Sequence, residues 1–211
     1  MHLNPVIIFG ANETGLMALE IFESNQVVVY CFLDDDKKTH QTEYSSVMVL
    51  GGTDDETYLK LLGKKCDAFV AIENFKERKF LAEMLEEDYK LKPVSAIHKD
   101  VVWSPSATIG DGNLINAGTV IGTKAKLGNY CFLQNRVVLE AFSTVGDYVH
   151  IGSGAVIGQG AVIESGAFVG TGAIVVPGVK VGKNARIGAG SLVASDIKAG
   201  KTVFGNPAAE V

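Results

Sequence analysis

The sequence predicts two joined folds: a small α/β domain built on a parallel sheet, then an all-β solenoid. Three observations carry this. Glycine is uneven, with 19 of 24 residues after position 97 and five before it. Charge is uneven as well: residues 1–96 hold 10 basic and 17 acidic side chains (net −7), residues 97–211 hold 9 and 7 (net +2), summing to −5. Near residue 96 the apolar pattern also changes, from alternating strand-like and helix-like segments to a strict period of six.

The first part reads as βαβ alternation. Val6 to Phe9 is a β-rich run that stops at Gly10. Gly15 to Ser24 carries apolar residues near helical spacing, and Val27 to Leu33 is again β-rich and stops at Asp34-Asp35-Asp36. Val47 to Leu50 is a short strand. Asp54 to Leu62 starts with acids, as a helix N-terminus prefers. Ala68 to Ile72 has the composition of a buried strand, and Lys76 to Tyr89 that of an amphipathic helix. Such alternation builds a parallel sheet with helices on its faces, and ligands then sit at the carboxyl ends of the strands. Those ends are Gly10-Ala11-Asn12-Glu13-Thr14-Gly15, Asp34-Asp35-Asp36 and Glu73-Asn74.

The second part is an internal repeat. Every sixth residue from Ile97 to Val193 is large and apolar without one insertion, for example Leu133, Leu139, Val145, Ile151 and Ile157. With 47% of the chain apolar, chance agreement over so many positions is roughly one in 10⁵ to 10⁶. Small residues recur four positions on (Ala125, Cys131, Ser143, Ala155), and glycine often follows the large residue directly (Gly110, Gly128, Gly152, Gly170). The pattern predicts short strands, one large residue per strand on a shared axis, and turns where glycine accepts positive φ.

Composition excludes several classes. An apolar fraction of 47% against 20% charged residues excludes a disordered chain. The net charge of −5 gives no basic footprint for nucleic acid. The longest apolar run near the N-terminus, Val6-Ile7-Ile8-Phe9, is too short for a membrane span and lacks the basic flank of a signal peptide. Cys31, Cys66 and Cys131 are odd in number and show no CxxC, so neither a disulfide framework nor a metal site is expected, and a reducing cytoplasm fits.

The hexads resemble the left-handed parallel β-helix of hexapeptide-repeat acyltransferases. Over the whole chain, Ile7-Ile8-Phe9-Gly10-Ala11, Phe32-Leu33-Asp34-Asp35-Asp36, Val70-Ala71-Ile72, Ala96-Ile97-His98 and Phe204-Gly205-Asn206-Pro207-Ala208 occur in the order seen in sugar acetyltransferases of the NeuD/PglD type. The resemblance implies a Rossmann-like substrate domain over residues 1–96, a β-helix over 97–198 and a C-terminal tail over 199–211. It also implies a homotrimer, acetyl-CoA as co-substrate, and a sugar or nucleotide-linked sugar as the small-molecule acceptor. In that family a histidine with a neighbouring acid takes the proton from the attacking group, work best done by a base with a pKa near 7.

Here the resemblance places Ala141 and Phe142 at that His-acid pair, with no gap in the hexads to shift the register. His150 falls on the family's second histidine, which contacts acetyl-CoA. It is also the one histidine after His98 able to substitute as base. Thr171 and Gly170 fall on cofactor-contacting backbone, and Arg186 is placed to meet a CoA phosphate. Phe132, His150, Phe168 and Arg186 are expected one above another, one coil apart. At the substrate end, Gly10, Asn12, Glu13, Thr14, Asp34, Asp35 and Glu73 are the candidates, with Asp34 and Asp35 on a nucleotide-contacting pair. For Gly10 and Gly15 a turn and packing role competes with a phosphate cradle. Glu13 and Glu73, where the family carries other residues, are expected to face the pocket and repel a diphosphate. Two alternatives therefore stand beside an acetyltransferase: a non-catalytic binding or scaffold homologue, and a transferase with a cationic acceptor.

Overall fold

The computed structural model describes residues 4–211, and His2 lies outside the described residues. The chain divides into two compact units, one ending at Lys99 and the other running Asp100–Val211.

The first unit contains β1 (Val6–Phe9), α1 (Glu13–Ser24), β2 (Val29–Leu33), β3 (Glu43–Tyr44), β4 (Val47–Gly51), α2 (Glu56–Leu59), β5 (Asp67–Val70) and α3 (Phe75–Asp88). Its sheet has the order β3-β4-β2-β1-β5. β4, β2, β1 and β5 are parallel, and β3 adds an antiparallel edge against β4. The parallel part places the two earliest strands centrally, the order of a doubly wound nucleotide-binding half. Alternate residues of the central strands face opposite ways. Ile7, Phe9, Cys31, Leu33, Ala68 and Val70 meet Leu59 of α2, Leu62 just beyond it, and Leu81 and Leu85 of α3 in one buried cluster.

The helices start where side chains cap them. Asn12 Oδ1 accepts the Gly15 N–H at 3.1 Å, so α1 begins at Glu13, two residues before the apolar spacing suggests. Asp55 accepts the Thr57 N–H at 2.8 Å, which makes it the cap of α2 and leaves that helix shorter than Asp54 to Leu62. Asn74 does the same for α3 through the Lys76 N–H at 3.0 Å. β3 is not legible in the sequence. Its hairpin with β4 turns on Ser45 and Ser46, both at positive φ (47° and 69°), without the glycine or asparagine that usually marks such a turn.

The second unit is a parallel β-helix of two-residue strands paired at a spacing of 18 residues, except that Arg186–Ile187 pairs with Thr202–Val203 at 16. Its strands form three faces. The aliphatic face carries Val102–Trp103, Val120–Ile121, Val138–Leu139, Val156–Ile157, Ile174–Val175 and Leu192–Val193. The mixed face carries Thr108–Ile109, Lys126–Leu127, Thr144–Val145, Val162–Ile163 and Lys180–Val181. The aromatic face runs from Leu114–Ile115 through Phe132–Leu133, His150–Ile151, Phe168–Val169 and Arg186–Ile187 to a closing hairpin, Thr202–Gly205 with Ala208–Glu210. From Ile115 onward the sixth-position residues are buried, whereas Trp103 at the open end remains 48% exposed.

The glycines correct one expectation. Those directly after the large residue are not the positive-φ residues. They are required because the next coil passes too close: a Cβ at Gly152 would lie 2.5 Å from Thr171 N, and one at Gly170 2.5 Å from Ala189 N. Positive φ falls two residues later, at Gly154 (69°) and Gly172 (66°), and at Lys124, Tyr130, Arg136, Phe142, Tyr148 and Asn184.

Candidate functional site

The first unit opens a cavity of about 600 Å³ at the carboxyl ends of its parallel strands. Asn12, Asp34, Asp35, Thr53, Glu73 and Lys76 give it polar walls, and Ile72, Phe80 and Leu81 an apolar side. Asp34 ties the ends of β1 and β2 together: its Oδ2 accepts the Ala11 N–H at 2.7 Å and its Oδ1 the Asp36 N–H at 2.8 Å. Asp35 accepts the Thr53 N–H at 2.8 Å and the Thr53 hydroxyl at 2.9 Å. Each carboxylate keeps further lone pairs for a ligand. Asn12 donates from Nδ2 to Ala71 O at 3.0 Å, tying the first turn to the end of β5.

Three predicted residues stand outside the lining of this cavity: Gly10, Glu13 and Thr14. Glu13 is exposed at the head of α1, so the expectation that it faces the pocket is corrected. Thr14 is buried and donates its hydroxyl to Glu73 Oε1 at 3.1 Å, which fixes Glu73 at the cavity edge. Gly15 is a packing glycine, since a Cβ there would sit 2.0 Å from Gly10 O. Gly10 combines a φ of +111° with a close approach to Ile72 and Ala71.

On the β-helix, the pairing register stacks Phe132, His150, Phe168 and Arg186 in one column. The His150 ring lies tilted on Phe168 (centroids 5.1 Å apart) and edge-on to Phe132 (6.3 Å). The Arg186 guanidinium stands 4.7 Å over the Phe168 ring. Gly170 and Thr171 occupy the corner that follows this face. Thr171 O accepts the Gly190 N–H at 2.8 Å, while among the described residues the Thr171 N–H has no acceptor. An added Cβ at Gly154, Gly172 or Gly190 meets nothing within 4 Å, so the corner is open along three successive coils.

Ala141 and Phe142 form a different corner. Ala141 presents only a methyl group. The neighbouring Glu140 carboxylate accepts the Gln159 N–H at 2.8 Å. Phe142 holds φ at +61°, is 52% exposed, and has the Lys124 ammonium 5.9 Å from its ring centroid.

Sequence reasoning missed Thr53, Lys76, Phe80 and Leu81. Thr53 was findable, because Gly51-Gly52-Thr53 also ends a parallel strand. Phe80 and Lys76 lie one turn apart at the start of α3, an ordinary helix pattern with nothing to mark it. Among the described residues no three His, Cys, Asp or Glu side chains are grouped to hold a metal ion.

Comparison with known proteins covers both units. Residues 5–85 match the PglD N-terminal domain, and residues 124–159 and 160–195 match the bacterial transferase hexapeptide family of six repeats. No curated protein sequence matches the chain. The acetyltransferase domain of PglB from Neisseria gonorrhoeae FA1090, solved with acetyl coenzyme A, is 27% identical with a TM-score of 0.91, covering 100% of both chains. PerB from Caulobacter crescentus, solved with CoA and GDP-perosamine, is 26% identical with a TM-score of 0.91, covering 100% of this chain and 98% of that one. WeeI from Acinetobacter baumannii AYE shares the fold at 24% identity and a TM-score of 0.88, covering 98% of this chain and 99% of that one. With a PglD-type domain before an unbroken run of hexapeptide coils, and full-length likeness to such enzymes, the chain belongs to the NeuD/PglD-type hexapeptide-repeat acetyltransferases.

Proposed function

We propose that this protein transfers the acetyl group of acetyl-CoA to the amine of a nucleotide-linked sugar, working as a homotrimer in the cytoplasm. The observation that carries the reading is likeness along the entire chain to one domain solved with acetyl coenzyme A and one enzyme solved with CoA and GDP-perosamine.

The residues present fit the co-substrate. The open corner at Gly154, Gly172 and Gly190 suits a thin extended chain. The Thr171 N–H is a donor for a carbonyl oxygen or the oxyanion that forms on it. His150 and Gly170 flank that corner, and Arg186 supplies a cation for phosphate. Asp34 and Asp35 accept donors of the nucleotide, with Phe80 as an apolar wall.

Attack by the neutral amine forms a C–N bond, breaks the C–S bond and releases the CoA thiolate, and one proton leaves the nitrogen. Ala141 has no group to receive it. The proton passes through water to the departing thiolate, and the acceptor amine has to arrive already neutral. His150 holds the co-substrate and takes no proton. The aliphatic face supports assembly, because its outward row is Val102, Val120, Val138, Val156, Ile174 and Leu192, apolar at every coil, with Val102 at 65% exposure. Three buried cysteines, none in a disulfide, fit a reducing compartment, and among the described residues no helix is long and apolar enough to cross a membrane. Free-thiol release from acetyl-CoA with GDP- and UDP-linked amino sugars tests the reading. Acceptor-dependent release supports it, and tight acetyl-CoA binding without release favours a non-catalytic homologue.

A further inference from the structure

We propose that Arg136 and the groove beside it form a binding site for a phosphate-bearing group on the β-helix. The site belongs to the same reaction, so the inference rests on the transferase reading above.

Arg136 sits at a corner where the chain turns through positive φ, at +59°. The equivalent residues of its column, 18 apart, are Gly118, Gly154, Gly172 and Gly190, all glycine at positive φ. A residue with a Cβ is disfavoured there, and an observed outlier of this kind points to function. The other side chains in this conformation on the β-helix have an internal reason. Tyr130 and Tyr148 stack on each other at 5.1 Å, Lys124 and Phe142 approach to 5.9 Å, and asparagine, as at Asn184, tolerates the region. Arg136 has none. Its stem runs beside Gly118, where a Cβ would lie 3.3 Å from Arg136 Cγ, and among the described residues its guanidinium makes no hydrogen bond or ion pair.

Around it lies a cavity of about 700 Å³ lined also by Asn135, Ser153, Gly154 and Asp100. The Asn135 and Ser153 N–H groups have no acceptor among the described residues. Their side chains add an amide and a hydroxyl. A guanidinium fork, two backbone donors and two polar side chains match the acceptor oxygens of a phosphate. Asp100 lines the same cavity but forms no ion pair with Arg136. The cavity of the first unit offers no comparable set: Asp34, Asp35, Glu73 and Glu77 line it against the single cation Lys76. Thr171 lies two coils along from Asn135 in the same column, about 10 Å away at the spacing of neighbouring strands. The phosphate can therefore belong to the nucleotide-linked acceptor or to CoA.

Calorimetry on the intact protein, with inorganic pyrophosphate, GDP, UDP and CoA as separate probes, tests this in Arg136→Gly and Arg136→Lys. Arg136→Gly should weaken pyrophosphate and at least one nucleotide probe by roughly 10- to 100-fold, the range expected for a lost charged hydrogen bond. Arg136→Lys should fall between it and the parent. The melting temperature of Arg136→Gly should not drop, because glycine is the native residue elsewhere in that column. Weakened GDP or UDP assigns the site to the acceptor, and weakened CoA to the co-substrate. Unchanged affinities for every probe overturn the proposal, as does lost binding accompanied by a fall of several degrees in melting temperature. Absence of thiol release from the parent protein, with Arg136→Gly weakening the probes as expected, would instead contradict the transferase reading alone.

Discussion

A methyl group at position 141 cannot titrate, and the pH dependence of acetyl transfer is where that is felt. The rate should rise with pH until the acceptor amine itself is neutral, with no separate limb near the ordinary imidazole pKa of about 6.5. The double variant Ala141→His/Phe142→Asp restores an imidazole and an acid, and aspartate tolerates the positive φ at 142. It should gain that limb and a rate about 10²-fold higher at pH 7. A limb near 6.5 in the parent that vanishes in His150→Ala would make His150 the base and contradict the unaided amine. Burial gives a second prediction at this scale. It pushes the Cys31 thiol from 9.0 to about 12, with Cys66 and Asp55 adding to the shift. The folded state therefore keeps its proton where the unfolded chain loses it, so the thiol's contribution to stability is full below pH 9 and falls away between 9 and 12. Iodoacetamide at pH 8 should leave Cys31 unmodified until the protein is unfolded, as peptide mass mapping would reveal.

Elements built on repeats depend on glycine for two separate reasons, and paired substitutions separate them. Gly152→Ala puts a Cβ 2.5 Å from the backbone of the next coil, where nothing flexible can give way. Gly154→Ala meets no atom within 4 Å and carries only the left-handed backbone penalty, about 1 kcal/mol. Thermal melts should show Gly152→Ala losing at least twice as much stability, and equal losses would return the requirement to φ. The same elements show what a sequence reveals. The hexads gave every coil from Ile115 onward because each large residue faces one axis and no insertion breaks the count. The parallel sheet was legible for a similar reason, since its strands are short apolar runs closed by turn residues. Helix ends were less so, because Asn12, Asp55 and Asn74 act through side-chain caps that spacing does not register. Asp34, Asp35 and Glu73 line the first unit's cavity because they close its parallel strands, where the sequence pattern placed them. Arg136 escaped because its oddity is a backbone angle in a column of glycines, visible only once the coils are stacked.

Across the whole molecule, the aliphatic face is the surface that most needs covering. Light scattering should give three times the chain mass of 22.4 kDa for the parent protein. Val156→Asp, in the middle of that row, should give single chains with an intact β-sheet spectrum. A parent protein that is monomeric would remove the trimer from the mechanism. The most direct measurement remains acetyl-CoA binding and free-thiol release on one preparation, with GDP- and UDP-linked amino sugars as acceptors. Transfer by a neutral amine predicts release that depends on the acceptor and grows with pH. Binding of acetyl-CoA with no release from any acceptor across that pH range would contradict it.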